Sequence, residues 1–251
     1  PTVRVVLMST GYQEIVHPEV RIAASSGLHI TYGGQTEEWQ AGEVLTVRPD
    51  DARFAAGNIR VTAAGQGDEI QVYQIERGYG NPCYAGTLEL RTTAEGIVMI
   101  NELPLEDYLC KVVPSEMPAS YEMEALKAQA VAARTYAMTK LGAHTGSGYQ
   151  LCDTTACQVY KGYSNEADAT TAAVDATAGE VACYNGSPIE AVFSASTGGY
   201  TESSENVWNT AVPYLRAVSE PGEYGDNSWT KTLTLDELTA LLQAKGENIG
   251  T

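Results

Sequence analysis

The sequence predicts an α+β protein, with a β-rich N-terminal half over residues 1–95 and a mixed helix and strand half over residues 96–251. Three observations carry this. Short β-branched or alternating runs recur about every 10 to 15 residues up to Arg91, the pattern switches at GIVMINELP, and an alanine-rich stretch with helical spacing follows from Ser120.

The N-terminal runs are VRVVLM, VRIAAS, LHITYG, EVLTVRP, NIRVTAA, EIQVYQI and TLELRTT, and each reads as a strand. Gly33-Gly34, Pro49-Asp50 and Gly65-Gln66-Gly67 supply turn chemistry between them, so a small sheet or barrel-like unit is expected. His17 and His29 lie among β-type residues and read as ordinary strand or turn residues. Pro104 stands where the first turn of a helix tolerates a missing N–H, and LEDYLCKVV spaces apolar residues three and four apart, so a helix begins near Leu103. Pro114 and Pro118 bracket Ser115, Glu116 and Met117, which puts Glu116 on a constrained connector outside any helix. Met123, Leu126, Ala130, Ala133, Ala137 and Leu141 then share one face of a long helix. Glu166 to Ala178, closed by Gly179, reads as a second alanine-rich helix. Thr234 and Glu237 form a capping box, stapled by Leu233 and Leu238, for a last helix to about Lys245.

At 251 residues, 43% apolar and 19% charged, the chain can bury a core and make one large domain or two small ones. No apolar run approaches the ~20 residues of a membrane span. Thirty-two acidic residues against 15 basic give a net charge of −17, which repels nucleic acid and anionic surfaces. Fifteen Tyr against two Phe suit half-wet surfaces where a polar, ring-shaped ligand could stack. The first residues carry neither a basic leader nor a long apolar segment, so any signal peptide is expected to have been removed or never present.

The leading candidate for chemistry is Glu116. A carboxyl between two prolines, preceded by Val112 and Val113 and followed by Met117, is placed for partial desolvation, which raises its pKa toward the range of a general acid. A capping or salt-bridged glutamate is the competing reading. Glu106 and Asp107, at a helix start where negative charge is favoured, read as structural.

The segment LPLEDYLCKVVPSEMPASYEMEALKAQAVAARTYA, Leu103 to Ala137, closely resembles the signature of the stage II sporulation protein D family, also named for relatives that enhance cell-wall amidases. The likeness continues through CDTTACQVYKG, AVFSASTGGYTESSENVW and VPYLRAV, about half the chain. It implies a lytic transglycosylase that cuts peptidoglycan glycan strands between N-acetylmuramic acid and N-acetylglucosamine without water, leaving a 1,6-anhydro end. The glutamate of PSEMP, here Glu116, is the catalyst so implied. The alternative it carries is a non-catalytic enhancer that binds cell wall or an amidase through the same groove. The resemblance also points to Lys127, Arg134, Thr201, Tyr214 and Arg216 as substrate-binding residues. Lys127 and Arg134, seven apart, project from one helix face. Lys127 is otherwise a solvated helix residue, and Arg134 a buried structural ion pair. Tyr160, Tyr163 and Tyr200 are further candidates for stacking on sugars, and the glycines of STGG could let backbone approach a ligand.

The expected partners are glycan strands, together with an amidase or other cell-wall hydrolases, and no nucleic acid. The expected location is extracytoplasmic, secreted or anchored through a removed N-terminal segment. Many relatives carry a GHGVGMSQ-type segment near the C-terminus, and this chain stops at Thr251 without it, so a chain lacking that segment is expected. Some relatives hold zinc with His and Cys around the CQVY motif. Here position 156 is Ala, leaving Cys152, Cys157 and His144 with Asp153 as a poor fourth ligand, so no metal or other cofactor is expected. A Cys152–Cys157 disulfide is favoured over zinc or free thiols, with Cys83, Cys110 and Cys183 buried and unpaired.

Overall fold

The period-two pattern of the N-terminal runs becomes strands with one face in the core. In the computed structural model, which describes residues 1–142, 145–162, 168–220 and 230–246, Val3, Val5 and Leu7 of β1 (Thr2–Leu7) are wholly buried. The chain divides into two compact units, Pro1–Phe193 and Ser194–Thr251.

In the first unit, β1 is followed by β2 (Val16–His17), β3 (Val20–Ala23), β4 (Leu28–Tyr32), β5 (Gln35–Trp39) and β6 (Leu45–Val47). Next come β7 (Ile59–Ala63), β8 (Ile70–Val72), β9 (Cys83–Tyr84), β10 (Thr87–Thr92) and β11 (Ile97–Pro104). Each expected run contains a strand. The larger sheet runs β12-β1-β11-β10-β7-β4-β5, where β12 is Leu151–Cys152, parallel to β1, and β2 adds to β11. A second sheet runs β6-β3-β8-β9. The large sheet's end strands do not pair with each other, so it is an open sheet and not a closed barrel. β5 is a polar strand, QTEEW, folded back on β4 through Gly33 and Gly34, whose φ values of 53° and 79° suit the two-residue turn.

β11 runs straight into α1 (Leu105–Glu116), with Pro104 at the junction. Leu105, Tyr108, Leu109, Val112 and Val113 are buried at the three-and-four spacing of one helical stripe. Contrary to the connector reading, α1 continues through Pro114, and Glu116 is its last residue. The proline falls in the final turn, and Met117 N–H still reaches Val113 O at 2.9 Å, so the helix ends without breaking at Pro114. α2 (Met123–Lys140) buries Leu126, Ala130, Ala133 and Ala137, whose small side chains let it pack against α1 and α3 (Asp168–Ala176). Met123 is exposed and Leu141 half-buried at the ends of that stripe. Glu166 and Tyr163 lie outside the described residues. β13 (Cys183–Tyr184) and β14 (Ser187–Pro188) form a small hairpin. His17 is buried with a ring nitrogen 2.8 Å from Leu7 O, a satisfied core histidine.

The second unit contains α4 (Ser204–Trp208) and α5 (Leu235–Ala244), the latter closed by the expected Thr234–Glu237 capping box. Among the described residues no helix is long and apolar enough to cross a membrane.

Candidate functional site

α1 brings Glu116 against the segment Gln158–Gly162. Burial there alternates, with Gln158, Tyr160 and Gly162 inside and Val159 and Lys161 half-buried. The backbone bonds alternate with it. Val159 N–H donates to Glu116 Oε1 at 2.5 Å and Lys161 N–H to Ser115 Oγ at 3.2 Å, while Tyr160 N–H turns away to Asp153 O at 3.2 Å. Ser115 Oγ in turn donates to Lys111 O at 2.6 Å, which seats the last turn of α1. The segment is thus stitched to the helix end through two successive side chains of the PSE triplet.

Tyr160 fixes the segment from the other side. Its ring lies between those of Tyr84 and Tyr108, 5.3 and 4.9 Å away, and its hydroxyl donates to Asn101 Oδ1 of β11 at 2.8 Å. Tyr160 is fully buried, so it is a core anchor and not the sugar-stacking surface that the sequence allowed. Tyr108 OH donates to Gln158 Oε1, and Gln158 Nε2 to Ala133 O of α2, each at 3.2 Å. Gly162 has φ 62° and a Cβ there would stand 2.6 Å from the Tyr84 ring, so glycine permits this closeness.

Burial pushes the Glu116 carboxyl above the ordinary carboxylate range, opposed by the Val159 N–H and by the positive charge of Lys161. With Oε1 held by an N–H, Oε2 is the atom left to carry the proton.

The other candidates are placed differently. Arg134 is buried, with Nε and Nη2 on Glu106 at 2.9 and 2.7 Å, and with Val174 O, Glu180 O and Thr177 Oγ1 around the fork. That is the ion-pair arrangement, joining α1, α2 and the end of α3. Lys127 is half-exposed and pairs with Glu124 one turn earlier at 2.8 Å. Thr201, Tyr214 and Arg216 belong to the second unit. There Thr201 Oγ1 donates to Arg216 O at 3.2 Å, and Arg216 spans Glu205, Ser204 Oγ and Val212 O. Tyr214 is half-buried and Tyr200 is exposed.

The five cysteines are free thiols, so the expected disulfide is absent. Cys152 N–H donates to Cys157 Sγ at 3.3 Å and the Thr154 hydroxyl lies 3.3 Å from Cys152 Sγ. The hydrogen bond between the two thiols, helped by the Thr154 hydroxyl, lowers the Cys152 thiol to about 5 and pushes Cys157 up, so the pair loses one proton readily and shares the one that remains. Cys183 is exposed and Cys83 and Cys110 half-buried, not core residues. His144 lies outside the described residues, and among those described no three His, Cys, Asp or Glu side chains converge as a metal site.

The sequence reading missed Val159 N–H, Tyr108 and the buried pair of Asp153 with Arg77 on the opposite edge of the same loop, 2.6 Å apart. The CQVY run marked the segment without showing what it touches.

Residues 93–184, which contain this whole segment and α1, match the family model described as SpoIID, Stage II sporulation protein. An amidase enhancer of Bacillus subtilis (strain 168) is 50% identical over 127 residues, 51% of this chain and 17% of that protein. An uncharacterized protein of Brachyspira hyodysenteriae (strain ATCC 49526 / WA1) is 39% identical over 184 residues, 72% of this chain and 50% of that protein. The stage II sporulation protein D of B. subtilis is 37% identical over 163 residues, 58% of this chain and 48% of that protein. The chain spans half or less of the length of these curated relatives.

Proposed function

We propose that this chain, a member of the stage II sporulation protein D and amidase enhancer family through its SpoIID domain, is an extracytoplasmic lytic transglycosylase of peptidoglycan. Its substrate on this reading is the bond between N-acetylmuramic acid and N-acetylglucosamine in glycan strands. The observation that carries the reading is Glu116, a half-buried carboxyl raised by burial, with one oxygen fixed by Val159 N–H.

Glu116 Oε2 gives its proton to the glycosidic oxygen as the bond to C1 breaks and an oxocarbenium-like state develops. The same carboxylate then takes the proton of the sugar's C6 hydroxyl as that oxygen closes onto C1. One carboxyl does both transfers, and no second carboxylate is needed to activate water. The rate has an alkaline limb set by loss of the Glu116 proton, displaced upward because burial disfavours its charge. Lys127, a half-exposed cation of an acidic protein on the helix that packs against α1, has surface to offer a sugar or stem peptide. Arg134 is taken up instead by its structural ion pair with Glu106 at the start of α1.

The second reading, a non-catalytic enhancer of a cell-wall amidase, is favoured by the name of the relative 50% identical over 127 residues. Incubating the protein with purified glycan strands and analysing their ends by mass spectrometry separates the two. New 1,6-anhydro ends are expected. Unchanged strands, with faster release of stem peptides when an amidase is added, would overturn the first reading in favour of the second.

A further inference from the structure

Asp153 is buried without exposure between the cysteines of the CDTTAC loop, and its bonds run in three directions. Its Oδ2 accepts from Arg77 Nη2 at 2.6 Å, its Oδ1 accepts Met8 N–H at 3.2 Å, and its backbone carbonyl accepts Tyr160 N–H at 3.2 Å. Arg77 is nearly as buried. Its Nη2 also donates to Met8 O at 2.5 Å and its Nη1 to Ser9 O at 3.2 Å, and the guanidinium lies 4.3 Å from the Tyr12 ring centroid. Arg77 therefore joins the loop to the end of β1 and to the loop after β8. It lies outside the stretch that matches the family model, residues 93–184.

The neighbours of Tyr160 turn the opposite way along the backbone: Val159 N–H reaches Glu116 and Lys161 N–H reaches Ser115. A segment held at Tyr160 on one side presents its flanking N–H groups on the other, as successive backbone groups in extended chain alternate. Resting on the reading of Glu116 as the acid, we propose that Asp153 and Arg77 are positioning residues, setting the register of Val159–Lys161 against α1 so that one N–H fixes Glu116 Oε1. The β-rich N-terminal half thereby orients the acid of the other half. Lys161, the charge acting on Glu116, moves with the same segment.

The test uses the whole chain carrying Asp153→Asn, which keeps an acceptor for Met8 N–H and removes the charge facing Arg77. Expected is a fall of roughly 10- to 100-fold in kcat for glycan cleavage, the size that a misplaced reacting group produces, with KM little changed. A carbon-13 carboxyl titration should show the Glu116 pKa moved upward, because a loosened Val159 N–H no longer favours the carboxylate. Arg77→Lys retains the charge without the fork and should give the same signs at smaller size. It serves as the readout if Asp153→Asn does not fold. Variants with lowered melting temperature but wild-type kcat and an unmoved Glu116 titration would overturn the proposal. If the wild type makes no new glycan ends, the reading of Glu116 fails, and the Glu116 titration still decides the positioning claim.

Discussion

The loop Cys152–Gly162 and the loop system Thr197–Glu220 are both rich in polar side chains that bond to backbone, yet they treat a carboxyl in opposite ways. In the first, Asp153, Gln158 and Tyr160 are fully buried, and burial raises Glu116 beside them. In the second, Thr201, Glu205 and Arg216 keep contact with solvent, and the Arg216 fork holds Glu205 below the ordinary range. The residue type is the same and the surroundings decide. A carboxyl kept ionised by an exposed arginine has no proton to give, whereas one desolvated at a helix end can hold it.

The largest effect expected is at Arg134. Arg134→Ala removes the buried partner of Glu106 and the Arg134 donor to Glu180 O, and opens a void between α1, α2 and α3, for a loss of about 3 kcal/mol. Chemical denaturation measures it, and the folded fraction should cleave glycan normally. A small stability change with lost turnover would return Arg134 to direct substrate contact.

Next is Asp153, whose carboxyl is raised by burial to about 6 from an ordinary 3.8 in spite of Arg77. The folded pKa lies above the unfolded one, so this group's favourable contribution is complete below about 4 and declines as pH rises through 6, by at most about 3 kcal/mol. Wild type should lose stability across that window relative to Asp153→Asn, as followed by urea midpoints at each pH. Parallel curves would contradict the assignment.

Tyr160→Phe removes the donor to Asn101 Oδ1 while keeping the ring stack, at a cost of about 1–2 kcal/mol. A neutral result would mean that the segment is not anchored through β11. The smallest effect belongs to the second loop system, where Arg216→Ala should cost under about 1 kcal/mol because its pair with Glu205 is exposed. Any large loss there would erase the contrast between the two regions.

The strands were legible because their alternation is local, and so was the capping box of α5. β5 was not, since QTEEW is a polar edge strand whose only signal was the Gly33-Gly34 turn. Glu116 was found as a residue but misplaced as a connector, because two prolines in sequence do not say that the first falls in a last helical turn. Its partner was hidden for a different reason. Val159 N–H is a backbone group 43 residues away, and Arg77 and Asp153 are 76 apart, so neither contact leaves a periodic trace. Residue type and spacing mark a carboxyl, and only the packing of distant segments says whether it keeps its proton.

The central claim is that this one carboxyl performs both proton transfers. Glu116→Gln keeps an oxygen for Val159 N–H and loses the transferable proton, so the yield of 1,6-anhydro ends from purified glycan strands should fall by about 10⁴, the upper end for acid–base groups, with the melting temperature held or raised. An unchanged yield of such ends from the Gln variant would contradict it.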